Sequence, residues 1–128
     1  MENQLTILSE SLDKKLEVLQ KIREYNKRQE EIFSAEEVDM SLFDDAVEEK
    51  QRLIDEVVHL DEGFEIMYEK LAKELEGNRE RYAAQIRELQ KKVSRVTELS
   101  VTVQAQEARN KKLIENYFAK EQIGRAHV

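Results

Sequence analysis

Before residue 124 this chain contains no proline and only two glycines, Gly63 and Gly77. An average composition carries about 5% proline and 7% glycine, and these are the residues that break or kink helices. Almost nothing in the sequence ends a helix once it has begun. Apolar residues recur at spacings of three and four, the period that gives such helices one adhesive face. The expected fold is all-α: an elongated antiparallel helical hairpin or three-helix bundle with coiled-coil character, built as one domain from residues 1–122.

Charged residues make up 38% of the chain, the hydrophobic set 40% and aromatics only 6%, the balance of coiled coils and slender bundles. The core is therefore a strip. A formal charge of -7 argues against nucleic acid as a partner, because binding to phosphates is driven by clustered Lys and Arg. With no cysteine, disulfides, thiolate metal ligands and cysteine nucleophiles are all excluded, in keeping with a reducing, cytoplasmic setting. The amino terminus has neither the basic start nor the apolar run of a signal peptide. No window reaches about 18 apolar residues, so membrane insertion is not expected.

The first helix is expected over about residues 3–34. Leu5, Leu8, Leu12, Leu19, Ile22 and Phe33 form its stripe, broadened by Val18, Tyr25 and Ile32. Glu10 and Lys14, Glu17 and Lys21, and Glu24 and Arg28 each set an acid four residues ahead of a base, the favourable orientation on a helix surface. Residues 34–41 lack the stripe and offer Asp39 and Ser41 as N-caps.

The second helix, over about 40–76, carries three apolar lines seven residues apart. They are Phe43, Val57, Phe64 and Leu71; Val47, Ile54, Tyr68 and Leu75; and Leu53, Leu60 and Met67. A stripe this wide usually faces two neighbours at once. Beyond Gly77 the first line turns polar at Asn78, Gln85 and Lys92, and a new one begins at Ile86 and Val93. Gly77-Asn78 reads as a cap and restart, which places a third helix at about 78–120. The rival geometry is one helix from residue 40 to 120, about 120 Å long at 1.5 Å per residue. Gly63 lies in phase within the stripe and ends neither version.

No catalytic, cofactor or metal constellation is present. His59 is the sole histidine before residue 127 and has no cysteine to share an ion with. The acid pairs from Asp44-Asp45 to Asp61-Glu62 diverge by about 100° per residue on a helix and do not converge on one ion. From Glu98 onward the core lines are diluted by Ser100, Gln106, Glu107 and Asn110. That mixture has two readings. One is the register-setting end of a coiled coil, where buried amides fix alignment. The other is an amphipathic groove around Val96, Leu99, Val103, Leu113, Ile114 and Tyr117 that accepts a helix from another protein.

Residues 123–128, Ile-Gly-Arg-Ala-His-Val, break the apolar pattern and match, on one back-translation, the start of a common sequencing adapter. The expectation is a non-native tail replacing the genuine carboxyl end.

The chain resembles the small helical export chaperones of the bacterial flagellum, the FlgN and FliT type. The resemblance is carried by Leu8, Leu12 and Leu19, by the run Phe43, Val47, Lys50, Leu53 and Ile54, by Leu60-Asp61-Glu62-Gly63-Phe64-Glu65, and by Gln104-Ala-Gln-Glu-Ala-Arg-Asn110. It implies a non-enzymatic cytoplasmic chaperone without cofactor. Its partner would be the amphipathic carboxyl-terminal helix of a hook-associated or filament-cap protein, held by the later helices and presented to the export apparatus, a second partner. The residues alone also admit a structural coiled-coil spacer or dimerisation protein, and leave a homodimer open.

Overall fold

The computed structural model describes the backbone of residues 1–126 and the side chains through Glu121. Three helices follow one another: α1 (Glu2–Ser34), α2 (Met40–Gly77) and α3 (Ala83–Ala126). The longest, α3, has 44 residues and extends about 66 Å at 1.5 Å per residue. No strand occurs among the described residues.

The break after Ser34 has a clear local cause. Asp39 adopts extended dihedrals and its Oδ1 accepts hydrogen bonds from the backbone N–H of Ser41 at 3.0 Å and Leu42 at 3.3 Å. Two amides that the helix itself leaves free are thereby satisfied. Of the two expected caps Asp39 serves, and Ser41 lies inside α2.

The second break corrects the sequence-level boundary. Residues 78–82 form a turn, so the third helix starts at Ala83, five residues later than expected. Asn78 completes the preceding helix and does not open the next. Its backbone N–H donates to the Leu75 carbonyl at 3.1 Å, and its side-chain amide donates to the Glu74 carbonyl at 2.8 Å. Gly77 is the last residue of α2, and no glycine has a positive φ among the described residues. The amide side chain, not a left-handed glycine, ends this helix. At the far end α3 continues to Ala126, beyond the point where the apolar pattern lapses. His127 and Val128 lie outside the described residues, as do the side chains of the remainder of the tail.

The order is up, down, up, with α1 at the centre. Contacts of α1 with α3 keep a near-constant sequence offset of 83 or 84, seen in Lys92 with Ser9, Gln106 with Arg23 and Asn110 with Asn26. The two helices are therefore parallel. Contacts of α1 with α2 run the other way, Lys15 to Asp61 and Asn26 to Lys50, so that pair is antiparallel. Two apolar clusters lie along α1. One joins Leu5 and Leu8 to Leu71, Leu75 and Tyr82 near the 78–82 turn; the longer one joins Leu12, Val18, Leu19 and Ile22 to Leu53, Val96 and Val103. A third contact closes the opposite end, where Phe33 meets Phe43 edge-on at 4.8 Å and Tyr117 at 5.5 Å between ring centroids. Of the three acid-base pairs expected on the surface of α1, Glu17 and Lys21 close, at 3.6 Å.

Between the long cluster and the aromatic end the core turns polar. Asn26, Gln29 and Asn110 are buried to within a few per cent. The Lys50 ammonium, on a side chain only 13% exposed, donates to Asn26 Oδ1 and Gln29 Oε1, both at 3.1 Å, and to Glu107 Oε2 at 2.9 Å. Glu107 Oε1 lies 2.8 Å from the same nitrogen as a charge contact but off the angle of a hydrogen bond. The Asn110 amide donates to the Asn26 carbonyl at 2.8 Å. One cation thus ties all three helices together. Sliding any helix by a turn would strand buried polar atoms, at about 1–3 kcal/mol each.

Candidate functional site

A packed helix pair has axes 8–10 Å apart. α1 packs on both neighbours in this way, yet the Cα atoms of α2 and α3 nowhere approach within 8 Å. α1 is the floor of an open trough whose walls are α2 and α3. Toward the 78–82 turn a hollow of about 850 Å³ is lined by Phe64, Tyr68, Ala72 and Leu75 on one wall and by Ile86, Leu89 and Val93 on the other. Midway a smaller one of about 200 Å³ has Ser11, Leu12 and Lys15 of α1 as its base. Near the other end Phe43 and Val47 face Ala108 and Ile114 across a hollow of about 550 Å³.

The trough follows from the width of the α2 stripe. Its lines are broad enough for two neighbours, but only α1 is there to meet them. Ala46, Leu53, Leu71 and Leu75 are buried against α1, while Val47, Tyr68 and Val93 remain 40–48% exposed. Tyr68 stacks on Phe64 with the rings 5° from parallel, which holds a flat apolar surface toward the opening. Contiguous apolar surface of this kind on a folded chain marks an interaction site.

The groove expected from the sequence is redistributed by the fold. Val96 and Val103 are buried in the long cluster against α1, and Leu99 packs on the same cluster. These three are core residues, because the stripe they belong to already has its partner within the chain. Tyr117 is engaged by Phe33 in the aromatic end contact. Leu113 is half-buried, and of the six positions Ile114 lines the far hollow of the trough while buried Val96 lies at the edge of the midway one. The residues that form the open walls, above all Val47, Phe64, Tyr68, Ile86 and Val93, were legible in the sequence as apolar lines. What singles them out is surplus: α2 has more apolar lines than one neighbour can cover, and a new line starts at Ile86 on α3.

Electrostatically the walls differ. α2 carries twelve carboxylates against four Lys and Arg, and α3 carries nine Lys and Arg against five carboxylates. His59 is exposed. Among the described residues no group of His, Cys, Asp or Glu is placed to hold a metal ion, and no helix is long and apolar enough to cross a membrane. The trough presents an apolar surface between two walls of differing charge. Compared with known proteins, the chain matches no family model and shows no significant similarity to a curated protein or a solved structure.

Proposed function

We propose that this chain is a non-enzymatic cytoplasmic chaperone that lays an amphipathic helix of another protein into the α2–α3 trough, completing a four-helix arrangement. The observation that carries the reading is the trough itself, two helices held apart on a common third with apolar side chains turned into the gap. An amphipathic helix laid in a hydrophobic groove is a recurrent mode of peptide recognition, and burying its apolar face lowers the free energy of both partners. The sequence resemblance described above supports the partner class: the carboxyl-terminal helix of a flagellar hook-associated or filament-cap protein, aggregation-prone until it is assembled.

The test is capture of such a terminal helix, as a synthetic peptide, by the full chain and by Val93→Asp. Val93 is 44% exposed on the wall of the trough, so a charge there leaves the fold intact while repelling an apolar face. Binding by the parent and loss of at least tenfold in affinity in Val93→Asp is the expected result. No binding by the parent, or equal binding by the variant, refutes the proposal. Val103→Asp is unsuitable, because Val103 lies in the core and a buried unpaired charge unfolds the bundle.

A second reading, a structural spacer or dimerising coiled coil, draws on the polar layer around Lys50, a register-setting device in such assemblies. Sedimentation as a stable self-associated rod, with no uptake of the peptide, would favour it.

A further inference from the structure

The two walls of the trough carry opposite charge. Along α2, Glu65, Glu69 and Glu76 share a face with Tyr68 and Ala72 at helical spacing, and Glu76 lines the hollow directly. All three carboxylates are exposed. Opposite them Arg87 lines the same hollow from α3, and Arg79 lines it from the 78–82 turn. The remaining charges of the lining are already engaged. Asp61 is held by Lys15 at 2.6 Å, Lys50 and Glu107 hold each other, and Glu115 lies 4.0 Å from Lys111. The α2 wall is left with free carboxylates, and the opposite side with the free cations Arg87 on α3 and Arg79 at the turn.

We infer that the trough selects the direction of the helix it takes: its occupant is a partner helix with basic residues along the flank against α2 and acidic residues along the flank against α3. Direction follows from geometry. A helix lying on its apolar stripe has a left and a right flank, and reversing its run exchanges them. Only one direction then sets opposite charges together on both sides; the other sets like charges together. Each exposed pair is worth little, but four or five acting in concert give about tenfold in affinity, falling as salt screens them. A second copy of this chain is the competing occupant. This inference rests on the docking proposed above.

The chain has no cysteine, so Glu80→Cys, at an exposed position of the 78–82 turn, gives a single site for a donor dye on the full-length protein. Three peptides of identical composition and apolar stripe carry an acceptor at their amino end. The first has Lys on one flank and Glu on the other, the second has the flanks exchanged, and the third has both charges mixed on each flank. The first two are expected to bind about tenfold more tightly than the third at low salt, with high energy transfer for one and low for the other. In the variant Glu65→Lys/Glu69→Lys/Arg87→Glu, whose changes are all exposed, the advantage of the segregated peptides is lost at unchanged helicity. Equal affinity for all three peptides, or the same energy transfer for the first two, overturns the inference while leaving the docking reading in place. Binding of none overturns both, as does a sedimenting dimer whose closed trough excludes every peptide.

Discussion

Replacing Lys50 by methionine removes the one cation that three helices share while nearly conserving side-chain length. The ammonium donates to the amide oxygens of Asn26 and Gln29, residues 1% and 2% exposed, and to Glu107. In Lys50→Met both amide oxygens lose their donor on side chains that are almost fully buried. Each orphaned buried acceptor costs about 1–3 kcal/mol. Glu107 loses its counter-charge, and although its side chain is 40% exposed, its Oε1 is buried, so hydration recovers only part of that loss. The expected destabilisation is about 3–5 kcal/mol, a large share of the roughly 5–15 kcal/mol that holds a domain of this size together. In thermal unfolding it corresponds to about 10–15 °C. The assay is urea denaturation followed by circular dichroism at 222 nm, with Arg52→Met as control. Arg52 also sits on α2 and pairs with Glu49, but its side chain is 75% exposed, so its loss costs about 0.5 kcal/mol or less. If Lys50→Met and Arg52→Met prove equally stable, the polar layer does not hold the helices and the reasoning fails.

Two further substitutions probe the helices themselves. Gly63 sits mid-helix, and a Cβ built on it meets nothing within 4 Å; Gly63→Ala is expected to raise stability by about 1 kcal/mol, read as a higher urea midpoint. Asp39→Ala frees the amides of Ser41 and Leu42 and is expected to cost about 1 kcal/mol, whereas Asp39→Asn, which keeps an acceptor, costs less in the same titration.

Much of the secondary structure is legible without coordinates because helix formation is decided locally. The absence of proline, the recurrence of apolar residues at three and four, and an aspartate before Met40 suffice to mark α1 and the start of α2. Where local chemistry was ambiguous the boundary moved. Gly77-Asn78 carries the composition of a restart, but the Asn78 side chain turned back to the Glu74 carbonyl, and α3 began at Ala83.

Which face meets which partner is a different matter. A periodic stripe states that a helix has an apolar face and is silent about what lies against it, so Val96 and Val103 read as a groove although α1 covers them. Asn26 and Gln29 fill the two stripe positions between Ile22 and Phe33, at spacings of four, three and four, but their polar side chains do not say what would satisfy them inside a core. They are tolerated there because Lys50 reaches them from 24 and 21 positions away and Glu107 meets that lysine from 57 positions away. The parallel pairing of α1 with α3, the gap between α2 and α3, and the meeting of an acidic wall with a basic one likewise arise only when three helices take a common register. Sequence fixes the helices because their hydrogen bonds close within four residues; the tertiary structure fixes the site because its groups converge from opposite ends of the chain.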